Sequence, residues 1–103
     1  MVKLPAEIDA DQAEQVRDSL LAILNRGISL LVIDMTQTTF CGVAGASAVA
    51  RAQQRALASG AEILLAAPAP IVRRVLAIAD LDRQLPVFSS LSAALAAAAE
   101  RAR

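Results

Sequence analysis

Thr38-Thr39-Phe40-Cys41-Gly42-Val43-Ala44-Gly45 joins an apolar segment that ends at Asp34 to a long alanine-rich segment. The apolar segment, residues 28–33, is almost continuous in Ile, Leu and Val, which is typical of a central parallel strand covered on both faces. The second segment, residues 43–59, has the length and composition of a helix, and Gly60 is its expected end. A parallel strand followed by a helix indicates an α/β domain, in which partners usually bind at the sheet edge that holds the helix N-terminus. We therefore expect the functional surface to lie at this junction.

Outward from the junction, apolar runs and helical periodicity predict the other elements of the fold. Strands are predicted at residues 2–4, 28–33, 61–66 and 85–88. Helices are predicted before Gly27, over residues 43–59, from Ile71 to Ala79 and after Ser90. We expect residues 1–103 to form one α/β domain, with a mixed but mainly parallel sheet of about four strands and about four helices packed on it.

Two short acidic segments are predicted to lie between these elements. Glu7-Ile8-Asp9 is interpreted as a loop that leads into the first helix. Asp9 or Asp11 is the expected N-cap of that helix, and Glu14 follows Asp11 at the spacing of a capping box. Asp80-Leu81-Asp82 is expected to break the third helix.

Composition excludes several classes of function. The ten basic and ten acidic residues cancel and are interspersed, so no field of one sign would attract nucleic acid. Two phenylalanines without tyrosine or tryptophan give no aromatic platform for stacking single-stranded bases. The absence of histidine removes imidazole general-base catalysis and most zinc chemistry. We therefore expect no nucleic-acid partner, no metal and no cofactor, and an enzyme is disfavoured.

Cysteine usage and hydropathy predict a cytoplasmic location. The single cysteine rules out a disulfide within the chain, and the first residues lack the pattern of a secretory signal. The longest apolar stretches are much shorter than the roughly 20 residues that a membrane-spanning helix needs. We therefore expect no direct membrane insertion, although the protein could dock on a membrane complex.

Several motifs together carry a family resemblance. Leu4-Pro5-Ala6-Glu7-Ile8-Asp9 is similar to the pattern L-x-G-E-[LI]-D, and Leu31-Val32-Ile33-Asp34-Met35-Thr36 is similar to V-[VI]-D-[LM]-[ST]. Residues 69–76 and 81–88 are similar to the paired pattern P-x-V-x-R-[VL]-[LF] and L-D-x-[LI]-F-x-[VI]. In this order and spacing, the motifs resemble those of the STAS domain, the family of sulfate-transporter tails and anti-sigma factor antagonists. The resemblance covers nearly the whole chain and implies a STAS-like fold.

The resemblance also implies a difference at the amino terminus. The chain starts at what resembles the second strand of the family domain, so the first family strand is expected to be missing. A sheet edge would then be less protected than usual, and a neighbouring copy could pair with it. A homodimer is therefore one hypothesis for the oligomeric state.

The junction itself resembles the family's phosphorylation motif, with substitutions. Antagonists of this family carry F-[ILM]-D-S-S-G there, and a partner kinase phosphorylates the second serine. Phe40 and Gly45 match this motif, whereas Gly42 replaces the aspartate, Val43 the first serine and Ala44 the phosphoacceptor. Ala44 is therefore interpreted as a lost phosphosite, because alanine has no hydroxyl. The alternative is a small residue required where helix and sheet approach closely.

Other side chains near the junction have two interpretations each. Ser47, Thr38 and Thr39 could replace the lost acceptor, or they could be ordinary solvated or capping hydroxyls, which we favour. Cys41 could be a nucleophile, but without a histidine to activate it a packed apolar thiol is favoured.

The charged candidates are also open to a structural interpretation. Asp34 ends the central strand, where it could bind a ligand or turn the following loop. Glu7, Asp9 and Asp34 could form an acidic cluster, but three carboxylates not known to converge do not make a metal site. Arg73 and Arg74 could bind phosphate or a partner's carboxylates, or could form a solvated helix face, which we favour.

The leading hypothesis is a non-enzymatic protein-interaction module that resembles an anti-sigma factor antagonist. It would bind an anti-sigma factor or a related ATPase-fold kinase without control by serine phosphorylation. The partner-binding residues are expected to be Asp9, Asp34, Thr39, Cys41, Gly42, Val43, Ala44, Gly45, Ser47, Ala48 and Arg51. An accessory subunit that contacts the ATPase of an ABC-type lipid transport complex is the alternative. A small-molecule-binding protein or an enzyme is a third, disfavoured hypothesis.

Overall fold

The long apolar runs form the central strands, as their composition predicts. The computed structural model describes residues 1–102. Its elements in chain order are β1 (Val2–Lys3), β2 (Glu7–Ile8), α1 (Ala10–Leu24), β3 (Leu30–Asp34), β4 (Phe40–Cys41), α2 (Val43–Ser59), β5 (Glu62–Ala66), α3 (Pro70–Ile78), α4 (Leu81–Gln84), β6 (Val87–Phe88) and α5 (Leu91–Arg101). The predicted fold class, an α/β domain with a four-stranded and mainly parallel sheet, is confirmed.

The four-stranded sheet has the order β1-β3-β5-β6, and its neighbouring strands all run parallel. Residue Ile33 pairs with Val2 on one side and with Leu65 on the other. Ile33 and Leu65 belong to the larger core, which α1, α2 and α3 cover, while Val32 and Leu64 belong to a smaller core under α5. Because helices cover both faces, β3 and β5 read as continuous apolar runs. Strand β1 lies at one edge of this sheet.

A second, two-stranded sheet was not predicted. Glu7–Ile8, interpreted from sequence as an acidic loop, is a strand that pairs in parallel with Phe40–Cys41. The loop interpretation is wrong because Ile8 is fully buried, and its backbone forms a ladder with the junction. Two-residue strands are too short to show a periodic pattern, so the sequence alone does not reveal the pairing.

The beginning of α1 is capped two residues earlier than the spacing of Asp11 and Glu14 suggested. Asp9 is the N-cap, and its Oδ1 accepts a hydrogen bond of 3.0 Å from the N–H of Asp11. The N–H of Asp9 in turn donates to Oε1 of Gln12 at 3.2 Å. The capping box is therefore formed by Asp9 and Gln12, one of the two N-caps that the sequence allowed. The end of α2 is as predicted, with Gly60 in the left-handed conformation at φ 76°.

The segment expected to break the third helix contains one more helix. Asp80 adopts a left-handed conformation, φ 62°, which ends α3 and starts the single turn α4. Leu81 of that turn is fully buried in the larger core. Burial of Leu81 thus holds a helical turn between two acidic residues, so residues 1–102 contain five helices where about four were predicted.

Candidate functional site

The junction between β4 and α2 exposes the beginning of a helix. Gly42 is the N-cap of α2, and its N–H donates to the carbonyl oxygen of Ile8 at 2.9 Å. The first turn consists of Val43, Ala44 and Gly45, which are all apolar, and Gly42 has no side chain with which to cap it. The partial positive charge of the helix N-terminus is therefore not neutralised by a side chain of this turn.

Gly45 brings α2 into close contact with the two-stranded sheet. A Cβ atom at this position would lie 2.8 Å from the Sγ of Cys41 and 2.8 Å from the Cγ2 of Ile8. Only glycine fits this approach without a shift of its neighbours. Ala44, by contrast, is exposed. The close approach of helix and sheet therefore requires a small residue at Gly45 and not at Ala44.

The predicted partner-binding residues divide into exposed and buried groups. The exposed ones are Asp9, Thr39, Val43, Ala44, Ser47 and Arg51, and Gly42 is half-buried. The buried ones are Asp34, Cys41, Gly45 and Ala48. Members of the first group can touch a partner in this conformation, whereas the second group supports the backbone beneath them.

Phe40 is a surface residue that the partner-binding list did not contain. Its side chain is 47% exposed, and that of Val43 is 76% exposed. The Phe40 ring lies beside Gly42, because a Cβ there would be 3.8 Å from Cε2 of the ring. We call Asp9, Phe40, Gly42, Val43, Ala44 and Ser47 the junction surface. The match of Phe40 to the family motif could have indicated that it belongs to the site. Its exposure could not be predicted, because a two-residue strand shows no periodic pattern that tells the solvated face from the buried one.

A shallow groove between α1 and α2 continues from the junction surface. Ala44, Ser47 and Ala48 form one wall, and the other is formed by Ala13, Glu14 and Arg17. Arg17 is held on α1 by Asp18 at 3.1 Å and by Glu14 at 3.8 Å. Further along the same two helices, Arg51 lines a second depression with Leu21 and Asn25. The groove places Glu14 and Arg17 of α1 on the opposite wall from Ser47.

Three polar side chains behind the junction hold the segment that connects β1 to β2. Gln37 Nε2, Thr38 Oγ1 and Thr39 Oγ1 donate to the three consecutive carbonyl oxygens of residues 4–6, at 2.9, 2.8 and 3.3 Å. Thr38 is buried, so as folded its hydroxyl is inaccessible to a kinase. Thr39 and Ser47 remain exposed. Gln37 had no signal in the sequence, because an amide that binds a distant carbonyl follows no local pattern.

The two residues with a possible chemical role are both buried. Asp34 Oδ1 accepts a 2.8 Å hydrogen bond from the N–H of Thr36, so its carboxylate turns the loop after β3. Burial raises the pKa of the Cys41 thiol above its ordinary value, so the thiol stays protonated at neutral pH. Within residues 1–102, no group of three Cys, Asp or Glu side chains is arranged to hold a metal ion.

Arg73 and Arg74 share no cleft with the residues of the junction surface. Both are exposed on α3 and line a cleft with Ala77, Asp82 and Val87. In the part of the chain that the structure describes, neither forms an ion pair. None of the helices described over residues 1–102 combines the length and apolar character needed to cross a membrane.

Comparisons with known proteins agree on the fold. The family model of the STAS domain matches residues 1–94. A crystal structure of an anti-sigma factor antagonist from Mycobacterium paratuberculosis has a TM-score of 0.76 and 26% sequence identity, covering 93% of this chain and 82% of that one. No curated protein sequence matches the chain.

Two further structures are similar at lower identity and show the shared fold alone. The NMR structure of the protein TM1081 has a TM-score of 0.76 and 19% identity, covering 91% of this chain and 77% of that one. The anti-sigma factor antagonist SpoIIAA in its unphosphorylated form has a TM-score of 0.70 and 20% identity, covering 99% of this chain and 87% of that one.

Proposed function

The chain belongs to the STAS domain family, and we propose that it is a non-enzymatic interaction module of bacterial regulation, of the anti-sigma factor antagonist type. Its partner is an anti-sigma factor or a related ATPase-fold kinase in the cytoplasm. The observation that carries the proposal is the junction surface, where exposed apolar side chains surround an uncapped helix N-terminus. The likeness to the Mycobacterium paratuberculosis antagonist supports the class of partner.

Binding at this surface is driven by removal of apolar side chains from water. Phe40 and Val43 are 47% and 76% exposed, and burying such side chains contributes roughly 25 cal/mol per Å² of apolar area. A few central apolar anchors usually dominate an interface, with a polar rim around them. We assign such a rim to Asp9, Ser47 and Arg51, which are exposed.

Phosphorylation does not control this interaction in our proposal. Ala44 is exposed in the first turn of α2, at the position that matches the family's phosphoacceptor. A phosphoserine there would add nearly two negative charges to a surface that a partner must desolvate. Alanine keeps the surface neutral, so the protein stays in a state able to bind its partner.

The test is titration calorimetry with a candidate anti-sigma factor or ATPase-fold kinase from the same organism. Val43→Glu is expected to weaken binding by about tenfold or more, because it places a charge at the centre of the desolvated patch. Leu95→Glu is the matched control, since Leu95 is an exposed leucine on α5, which covers the other face of the sheet. Equal affinity for Val43→Glu and the wild type would overturn the proposed surface.

A second measurement addresses phosphorylation. After incubation with the same kinase and ATP, the wild type should keep its intact mass, and Ala44→Ser should gain one phosphate. Incorporation of one phosphate per wild-type molecule would contradict the proposal that phosphorylation does not control partner binding. The alternative partner is the ATPase of an ABC transporter. If genes for a permease and an ATPase lie near this gene, the same titration should be carried out with that ATPase.

A further inference from the structure

Two arginines of α2 line a depression that α2 forms with the carboxyl-terminal half of α1. Arg51 and Arg55 are exposed and four residues apart, so they share one face of the helix. Leu21, Asn25 and Gln54 complete the walls of the depression, which has a volume of about 380 Å³. Among residues 1–102, no acidic side chain belongs to its lining. The depression therefore presents positive charge alone, and we call it the arginine depression.

Arg55 is held in a fixed direction across the two helices. Its Nε donates to Oδ1 of Asn25 at 3.0 Å. This bond uses one donor of the planar guanidinium group and leaves the donors of its two terminal nitrogens for another acceptor. Because the bond joins side chains of α1 and α2, the guanidinium group is oriented before any ligand arrives.

Neither arginine of the depression has an anionic partner on the protein itself. Three other arginines form ion pairs with nearby carboxylates, namely Arg17, Arg83 and Arg101. Within residues 1–102, Arg51 and Arg55 form none. Arg73 and Arg74 also lack an ion pair, but their cleft contains the carboxylate of Asp82. The arginine depression differs from that cleft because it lacks a negative charge of its own.

The two arginines are also not needed to cap the end of α1. The carbonyl oxygens of Leu21, Ile23 and Leu24 accept hydrogen bonds from the backbone N–H groups of residues 25–27, at 2.9, 3.1 and 3.2 Å. Across residues 1–102, neither guanidinium group donates to a carbonyl oxygen of this helix. The positive charge of the depression is therefore available to a group from outside the protein.

The arginine depression continues the groove that begins at the junction surface. Ala44 and Ser47 line this groove, and Arg51 and Arg55 follow on the side of α2 that faces α1. At a rise of 1.5 Å per residue, the two arginines lie roughly 10 Å and 16 Å further along α2 than Ala44. A specific interface usually buries about 800 Å² on each protein, which is wide enough to include both places.

We propose that the arginine depression binds an aspartate or glutamate side chain of the protein partner. The inference rests on the proposed function, because it takes the partner to cover the junction surface as well. A carboxylate fits the depression, since a guanidinium group offers paired N–H donors to its two oxygens. A second copy of the chain docked through the same depression would place arginines opposite arginines. The contact orients the partner along the groove, as charged pairs at an interface do.

The first experiment uses the whole chain, isotopically labelled for NMR, and a tetraglutamate peptide with blocked ends as the probe. The Nε–H signals of Arg51 and Arg55 should shift and saturate together as the peptide is added. A tetralysine peptide should leave both signals unchanged. Arg73 and Arg74 are internal controls and should shift less, because Asp82 lies in their cleft.

Matched variants test the charge. Arg51→Gln and Arg55→Gln should each weaken binding of the tetraglutamate peptide by about threefold, which is the size expected for an exposed ion pair. Arg74→Gln makes the same change of charge on α3 and should leave the affinity unchanged. Thermal unfolding followed by circular dichroism checks that each variant folds.

Variants of Asn25 test the orientation of Arg55. Asn25→Ala removes the acceptor without changing the net charge, so it should shift the Arg55 Nε–H signal of the free protein and weaken peptide binding. Asn25→Asp supplies a carboxylate within the depression and should weaken peptide binding more than Asn25→Ala does. Equal affinity of the wild type and Asn25→Asp would contradict a site for carboxylates.

Titration calorimetry with the candidate partner separates this inference from the proposed function. Arg51→Glu and Arg55→Glu should each weaken the complex by about tenfold, and Arg74→Glu should not. If Val43→Glu weakens the complex while Arg51→Glu and Arg55→Glu do not, the inference fails and the proposed function stands. If the candidate partner does not bind but the peptide saturates the two arginines, the proposed function fails and the carboxylate site stands.

Two further results would overturn the inference. One is an equal response of Arg74 and Arg51 to the tetraglutamate peptide, which would show attraction to any exposed arginine. The other is tighter binding of inorganic phosphate than of the peptide at the two arginines, which would assign the depression to phosphate.

Discussion

Gly45 lies directly against the sulfur of Cys41, so that a Cβ atom at residue 45 would be 2.8 Å from Sγ. Gly45→Ala is therefore expected to lower the free energy of unfolding. Overpacking costs about 1–3 kcal/mol, and the better helix propensity of alanine returns up to about 1 kcal/mol. We expect a net loss of up to about 2 kcal/mol, measured by urea unfolding.

Two variants serve as controls for this contact. Gly42→Ser should be neutral or slightly stabilising, because a Cβ there has 3.8 Å of clearance and serine is a good N-cap. Cys41→Ala combined with Gly45→Ala should lose less stability than the sum of the two single changes, because without the sulfur of Cys41 the added methyl group at residue 45 causes less crowding. Strict additivity would show that the Cys41 contact is not the source of the cost.

Thr38 and Thr39 provide a matched pair for the support of the junction. Thr38→Val removes the 2.8 Å hydrogen bond from the hydroxyl of the buried Thr38 to the carbonyl oxygen of the exposed Pro5, which costs about 1 kcal/mol. Thr39→Val should cost less than about 0.5 kcal/mol, because Thr39 is exposed and its own N–H still donates to Ala6. Urea unfolding of both variants measures the difference. Similar losses for the two would show that burial does not set the strength of these bonds.

The sequence predicts the framework of this fold because its signals are local and long. Residues 28–33 and 61–66 are continuously apolar, so their assignment as covered strands needs no knowledge of their neighbours. The β2–β4 pair could not be predicted in this way. It is two residues long on each side, and its partners are far apart in the chain. In the folded structure Ile8 of β2 packs against Gly45, and this contact, which the sequence does not reveal, explains why β2 forms.

The position of the candidate site could be predicted, but its exposed residues could not. Asp34 and Gly45 are near the junction in sequence, but both are buried. The carboxylate of Asp34 turns the loop after β3, and Gly45 lies against Ile8. Phe40, which the sequence indicated only as a match to the family motif, is one of the exposed apolar residues of the junction surface. In a short strand, the strand with which it pairs determines which side chains face the solvent. Two residues are too few to show a periodic pattern from which this could be predicted.

Because Cys41 is buried, we expect the free energy of unfolding to depend on pH in the alkaline range. Its pKa is raised in the folded state, whereas the thiol of the unfolded chain titrates near its ordinary pKa of about 8.5. Above that pH the folded chain keeps a proton that the unfolded chain has lost, so stability falls as pH rises toward the folded pKa. Below it both states are protonated, and the thiol makes no contribution. We expect a flat free energy of unfolding between pH 7 and about 8, followed by a decline.

Cys41→Ala measures the background for this decline. The chain has no tyrosine, so few other groups titrate in the same range. The variant should show a weaker dependence on pH above about 8.5 than the wild type in urea unfolding. Parallel curves for the two proteins would mean that the thiol titrates equally in the folded and unfolded states.

Asp9 can be tested for stability and for binding separately, because it caps α1 and belongs to the junction surface. Asp9→Ala removes the acceptor for the N–H of Asp11 and should cost about 1 kcal/mol, whereas Asp9→Asn keeps an equivalent cap. In titration with the partner, both variants should bind more weakly if the Asp9 carboxylate contacts it. Asp9→Asn is the informative variant, since a loss of affinity at unchanged stability isolates the charge. If Asp9→Asn instead lowers stability as much as Asp9→Ala, the negative charge at the helix N-terminus, and not the hydrogen bond, is what Asp9 contributes to α1.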